Sequence, residues 1–507
     1  MNFRFTNYIF FVVLSILSIF MKGQNIHIDN RINNNSPINI FFDSINTNIS
    51  DQILNKKINY TELNSNYYNS KQSNYLLQKG NGLKNVSFNV KSNFLIDSLN
   101  YVWGNVSYKN GTRKNVKWNE SSDYNRISPY VMADSVGGNL SLEEYNIEGG
   151  YNRKMNRFNF GLLVNYKALI ESRNRDPRPK NIVSDLNFNM GLSSKIYKEN
   201  ILSLSILLNK YTQSNDLKFF SQLGNSETYH LSGLGMYNNM FVGSRNRAYF
   251  DGNGYGLQLS FFNANKKGIM ATIGFSNLST DKILTDLQDL VISNINEIAY
   301  NFDVSYMNPD SNLFKGIRIN GKLKDRKGRE GIFFNETSSN YKKIDEVQKY
   351  SYESKLIKLS SLFGLTDKSK MKNISFTPSI IYSSSEEKYF DPSIKQRFEN
   401  ITSQIEFSFM YKWNEKSLTN FGINLGTKQN LTHEWNSSHY YSMQSIQNMM
   451  INNYQYLSSN NIFFNLNFRQ DYSINQKYSI FLDANYYYAN YKSGNNTQLQ
   501  LSLGLFF

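Results

Sequence analysis

From about residue 80 onward, apolar and polar positions alternate with a period of two. Tyr255, Leu257, Leu259 and Phe261 alternate with Gly256, Gln258 and Ser260, and Ile269, Ala271, Ile273 and Phe275 with Met270, Thr272 and Gly274. The same holds for Phe158 to Tyr166, Leu186 to Leu192, Ile405 to Trp413 and Tyr478 to Tyr488. Strand side chains point to opposite faces in turn, so each segment has one apolar and one polar face. A soluble sandwich and a transmembrane barrel both use such strands. The stripes imply segments of roughly 9–11 residues, the length that crosses a bilayer at a tilt, and longer than ordinary sandwich strands. Rings close many stripes, as at Tyr166, Tyr300, Tyr306, Tyr411 and Trp413, which suits interfacial aromatic girdles. The opposite face is rich in Gly, Ser and Asn.

The connections sort by parity. Short polar turns are predicted near 153–157, 196–200, 263–268, 308–312, 367–372, 414–417 and 473–476. Longer stretches lie between them, near 110–140, 171–183, 210–252, 277–296, 325–348, 384–399 and 428–455, with a shorter one near 489–496. Short periplasmic turns alternating with long extracellular loops belong to outer-membrane barrels. Counting up and down from Tyr101 predicts an all-β, antiparallel up-and-down transmembrane barrel of about 16 strands, with 14 the next choice. The stripe Val86, Phe88, Val90 is left over, as a displaced first strand or part of an N-terminal segment. The final segment carries Leu499, Leu501, Leu503, Leu505 and Phe507 on one face. Its terminal aromatic resembles the assembly signal read by the bacterial barrel-insertion machinery; the plain alternative is an edge strand that happens to end in Phe.

Residues 1–23 carry Arg4 and then an apolar run from Ile9 to Met21, too short to span with margin, and Gly23 precedes Gln24. This predicts a cleaved signal peptide rather than an anchor helix, and no Cys follows for a lipid anchor. Residues 24–80 alternate weakly and are expected to form a periplasmic extension or lumenal plug, or a loosely attached tail. The barrel is expected over 81–507.

The chain has 507 residues, no Cys, 36 Tyr, 36 Phe and a formal net charge of +15. Without Cys there is no disulfide framework, thiolate metal site or thiol nucleophile. So many rings argue against disorder. The basic residues are spread over strand ends and loops of an exported chain, so nucleic-acid binding is not expected.

At three strings the sequence resembles a large, mostly uncharacterised family of predicted outer-membrane β-barrels from Bacteroidetes-type bacteria, known as a domain of unknown function. They are Asp176-Pro177-Arg178-Pro179-Lys180-Asn181 leading into Val183–Asn187, Gly252-Asn253-Gly254-Tyr255-Gly256, and Val102–Tyr108. The resemblance runs from about residue 80 onward. It implies location and architecture far better than activity. Residues 24–80 are too short for the plug domain of a TonB-dependent receptor, and no sorting domain of surface-secreted proteins is expected at the C-terminus.

Candidate chemistry is sparse. Histidine occurs at His27, His230, His433 and His439. His433-Glu434 followed by His439 has the wrong spacing for a helical HExxH zinc site. The run Gly252, Gly254, Gly256 is not a dinucleotide fingerprint, and glycine at a strand start more simply allows bending. No enzyme, metal site or cofactor is expected. Arg173, Arg175, Arg178 and Lys180 form a basic cluster with Glu171 and Asp176 nearby, and Arg245 and Arg247 form a second. They read either as an anion-attracting constriction in the lumen or, favoured here, as contacts to anionic lipopolysaccharide and loop-stabilising ion pairs. The expected role is a conduit or accessory for small-solute passage across the outer membrane. The alternative is a plugged barrel acting as an interaction protein in a surface uptake or secretion complex; an outer-membrane enzyme ranks third. Expected partners are outer-membrane lipid and lipopolysaccharide, the insertion machinery, and a TonB-dependent receptor or surface lipoprotein.

Overall fold

The computed structural model describes residues 31–507, apart from 33–34, 56–58, 222–225, 244–245, 310–312, 338–339, 368–371, 438–440 and 442. The expected signal peptide, His27, Arg245 and His439 lie outside the described residues.

The alternating segments become one 18-stranded sheet. It runs through β1 (Tyr60–Gln72), β2 (Gly82–Leu95), β3 (Asn100–Val116), β4 (Gly138–Met155), β5 (Phe158–Ser172) and β6 (Arg178–Tyr197). Then come β7 (Asn200–Lys218), β8 (Arg247–Asn263), β9 (Gly268–Leu284), β10 (Leu290–Pro309), β11 (Leu313–Thr337) and β12 (Asn340–Asp367). The last are β13 (Lys372–Tyr389), β14 (Ile394–Asn414), β15 (Ser417–Ser437), β16 (Asn461–Ser473), β17 (Ser479–Tyr491) and β18 (Gly494–Phe506). Each strand pairs antiparallel with its chain neighbours, and the last pairs with the first: Leu63 lies opposite Leu505 and Tyr67 opposite Leu501. Closure leaves no free edge strand, so the ladder runs unbroken around the barrel, as a bilayer interior demands.

The apolar stripes face outward. On β7, Leu202, Leu204, Ile206 and Leu208 are 39–49% exposed, while Ile201, Ser203 and Ser205 between them are buried. The outer face is thus a continuous apolar belt, and the polar face lines a lumen. The girdle candidates Tyr166, Tyr300, Tyr306 and Trp413 are exposed on the outer surface.

The expected count of 16 is corrected to 18. The sixteen segments from Tyr101 onward all form strands; the two missed are β1 and β2. The leftover stripe Val86, Phe88, Val90 is the outward face of β2, opposite Tyr67, Ser65 and Leu63 of β1. The expected domain boundary at residue 81 is corrected with it, because residues 60–72 are a barrel strand. The strands are also longer than expected, from 13 residues in β1 to 28 in β12. Several stretches read as loops, such as 325–348, are strand continuing past the belt.

At one end every connection is short: 96–99, 156–157, 198–199, 264–267, 310–312, 368–371, 415–416 and 474–478. Asn156 takes a left-handed conformation in its two-residue turn, which Asn tolerates because its short side chain can bond locally. The other end carries 117–137, 219–246 and 438–460.

The described residues between 31 and 55 lie against lumenal side chains at the short-turn end. Helix α1 (Pro37–Ile45) buries Phe41, Phe42 and Ile45 against Ile201, Phe262, Met270, Met307, Phe314 and Leu362. Glycines make room for it: a Cβ on Gly161 would meet the Ile49 carbonyl at 2.6 Å, and one on Gly364 would meet Pro37 at 2.7 Å. Asn152 Nδ2 donates to the Ile49 carbonyl at 2.8 Å.

Candidate functional site

At the long-loop end the loops fold inward rather than outward. A small sheet pairs Met132 and Ala133 with His230 and Tyr229, and Met236 with Gly233. Helix α2 (Gln444–Leu457) adds Ile446, Met449 and Met450 to a hydrophobic cluster. That cluster also holds Trp118, Val131, Leu231, Leu234 and Phe241 from the loops and Tyr211, Phe250, Tyr350 and Tyr389 from the wall. Burying these side chains keeps the loops inside the barrel, since leaving each exposed costs about 1.5–3 kcal/mol.

The 117–137 loop is also tied by charge. Asp123 takes Lys167 Nζ at 2.9 Å. Arg126 reaches Asn209 Oδ1 at 2.6 Å, Asp185 at 3.9 Å, and stacks 4.1 Å over Tyr211. From β11, Arg326 donates to the carbonyls of Ser128 at 2.6 Å and Asn125 at 2.8 Å while paired with Glu297. Lys324 joins Glu297 at 2.8 Å, and Arg113 joins Glu171 at 2.9 Å.

Two adjoining chambers lie beside this loop, of about 500 and 440 Å³. Gln78, Lys79, Tyr124, Asn125, Lys324 and Arg326 line both. The first is rich in charge, with Lys79, Arg113, Asp123, Arg126, Lys167 and Glu171 on its wall. The second is amphipathic, lined by Leu76, Leu231, Phe398, Met449, Met450 and Leu457 as well as Gln396, Asn453 and Glu387. Burial, helped by the nearby Arg113 charge, pulls the Lys79 ammonium below its ordinary value. A third chamber of about 400 Å³ lies at the short-turn end, lined by Arg31, Asp43, Glu62, Lys266 and Arg469 among others.

The basic cluster expected from the sequence does not come together as a constriction. Arg173 is buried between Glu120 (2.9 Å) and Asp134 (3.3 Å), and its Nε donates to the Pro177 carbonyl at 2.7 Å. Burial and the neighbouring Asp134 push the Glu120 carboxyl well up. Arg178 pairs with Asp176 at 2.5 Å and covers the Phe220 ring at 4.3 Å. Arg175 and Lys180 are exposed. Arg247 is exposed and reaches Asp216 at 3.3 Å. Arg173, Arg178 and Arg247 thus make ion pairs with nearby acids, while Arg175 and Lys180 stand exposed beside them. On β18, Leu501, Leu503 and Leu505 face outward. Phe507 departs from its stripe: it is buried, packs on Tyr478 at 6.0 Å, and its N–H donates to the Thr61 carbonyl at 2.9 Å. His230 is buried, and exposed His433 sits 2.6 Å from Asn430 Oδ1.

The chamber residues Lys79, Arg126, Glu297, Lys324, Arg326 and Gln396 went unnoticed in the sequence. One signal was present: Lys322, Lys324 and Arg326 repeat at spacing two on the polar face of β11, a row of charge aimed at the lumen.

A family model described as "Family of unknown function (DUF6850)" matches residues 52–507. No curated protein matches the chain. Among solved structures, the chain is similar to BauA, the ferric preacinetobactin receptor from Acinetobacter baumannii, at 7% identity and a TM-score of 0.39, covering 89% of this chain and 80% of that one. It is similar to the siderophore receptor PiuA from the same organism at 9% identity and a TM-score of 0.39, covering 89% and 82%. It is also similar to the ferripyoverdine receptor of the outer membrane of Pseudomonas aeruginosa at 8% identity and a TM-score of 0.35, covering 89% and 72%. At such scores these likenesses carry no weight for the lumen, and the barrel stands on its own strand pairing.

Proposed function

The chain belongs to DUF6850, a family of unknown function, and we propose from its geometry that it is an integral outer-membrane barrel passing a small polar solute through a lumen that its own segments keep narrow. The observation that carries this reading is a pair of adjoining chambers, bordered by Lys79, Lys324 and Arg326, inside a closed barrel with an apolar outer belt. Such a belt needs lipid around it, and closed barrels of this kind suit the outer membrane. Residues 1–23 then serve as the export signal, the short turns face the periplasm, and the long loops face outward. Strand β1 begins and β18 ends at the short-turn face, near helix α1. That segment narrows the periplasmic mouth and the inward loops narrow the outer one.

The hairpin β11–β12 favours a second reading, an interaction protein. It is longer than its neighbours and exposes Ile332, Phe334, Ile344 and Val347 near its tip. Planar-bilayer recording of the full chain separates the two. The conduit reading expects steady current steps, small because the lumen is narrowed. A barrel silent under all voltages overturns it and leaves the hairpin as the functional surface.

A further inference from the structure

The walls of the two long-loop chambers are lopsided in hydrogen bonding. Their carboxylates are already engaged: Asp123 by Lys167, Glu171 by Arg113, Asp185 by Arg126, and Glu297 by Lys324 and Arg326. Glu387 accepts from Tyr350 Oη at 2.9 Å. The buried wall atoms left without a partner are both donors, Arg126 Nε and Gln396 Nε2, and Gln396 is only 2% exposed. A buried donor left unmade is costly, so its place on a chamber wall points to an acceptor that arrives from outside. Lys79 adds a third donor. It borders both chambers, and no carboxylate lies within ion-pair distance of it among the described residues. The Arg113 charge nearby keeps the local field positive. Beside Gln396, the second chamber offers Phe398, two residues along the same strand, and Met449, Met450 and Leu457 from α2, a surface that takes up an apolar body of variable shape.

We propose that the second chamber is a binding site for a small amphipathic anion. Its carboxylate or other oxyanion group accepts from Lys79 and Gln396, and its apolar or aromatic body rests on Phe398 and the two methionines. This deepens the conduit reading and rests on it for the solute's arrival in the lumen. A cation is disfavoured because four of the five wall carboxylates are paired with Lys or Arg, and the fifth, Glu387, already accepts from Tyr350. A bare anion gains nothing from the apolar side.

The test uses the full chain in lipid nanodiscs, with folding checked by heat-modifiable gel mobility. Phenylacetate binding is measured by calorimetry beside benzylamine, phenylacetamide and acetate. Phenylacetate is expected to bind and the other three to bind at least tenfold more weakly. Lys79→Met is expected to weaken phenylacetate about tenfold and Gln396→Leu severalfold, the size of a lost charge-assisted and a lost neutral hydrogen bond. Lys195→Met, at a short turn outside the chambers, is expected to change nothing. Benzylamine binding as tightly as phenylacetate, acetate binding as tightly, or a Lys79→Met variant that binds normally would each overturn the inference. Bilayer current from the same preparation keeps the two readings apart. A conducting barrel that ignores phenylacetate loses the ligand and keeps the conduit, and a silent barrel that binds it does the reverse.

Discussion

Asp51 is fully buried at the short-turn end of the lumen, and its partners are hydroxyls. Ser203 Oγ donates to it at 2.7 Å, and Ser193 and Ser50 are close by. The neighbouring wall groups, Asn152, Ser193 and Ser203, carry no charge. Burial pushes its carboxyl up to about 6, and the hydroxyls offset this only in part. The sign follows from linkage: a carboxyl with a raised folded value favours the seated form most when protonated. The seat of residues 49–51 is therefore firmest below about pH 4, the ordinary carboxyl range. It weakens as pH rises through about 6 and above that carries a charging cost of roughly 3 kcal/mol. Hydrogen-exchange protection of residues 37–55, corrected for intrinsic rates, should fall between pH 5 and pH 7.5. Asp51→Asn should remove that difference, and equal protection of the native chain at both pH values would refute the account. None of this was legible in the sequence, where Asp51 stands in a polar stretch that shows no strand or helix pattern. Gly161, Gly191, Gly316 and Gly364 were visible there only as small residues on a polar face. The structure makes them the places where residues 37–50 touch the wall.

At the scale of elements, the hairpin β1–β2 was the part that periodicity misread. The outward face of β1 is Leu63, Ser65, Tyr67 and Asn69, set against Leu505, Leu503, Leu501 and Leu499. Two of its four positions are polar, so no stripe appears. The strand is held by ladder bonds to both neighbours and needs little from its own side chains. The β18 stripe, by contrast, was plain from the sequence, apart from Phe507. If the terminal ring is an assembly signal, Phe507→Leu should cut the amount of inserted barrel in cells severalfold. Refolded in detergent, the same variant should lose no more than about 1.5 kcal/mol, because the volume is nearly kept. Normal insertion in cells would limit Phe507 to its packing on Tyr478 and the Thr61 pairing.

At the scale of the whole molecule, the barrel has two jobs for its inner face: to stay polar and to hold the segments folded into it. Arg173 anchors the 117–137 loop through Glu120 and Asp134. Arg173→Met leaves two buried carboxylates unpaired, which costs about 3–5 kcal/mol. The loop can leave while the ladder stays, so larger current steps with unchanged gel mobility are expected in planar bilayers. Steps of native size would mean that the hydrophobic cluster alone holds the loop. The closed antiparallel barrel, its outward apolar face, its short turns at one end and its last strand were all determined by the sequence itself. They follow from side-chain alternation and turn chemistry, which are local and repeat strand after strand. Only the tertiary structure decided that the long loops turn inward, that Arg173 is buried between two acids, and that Lys79, Gln396 and Met449 share one chamber. Those contacts join residues from different strands and loops, and a period of two says which face a side chain takes but not what it meets across the lumen.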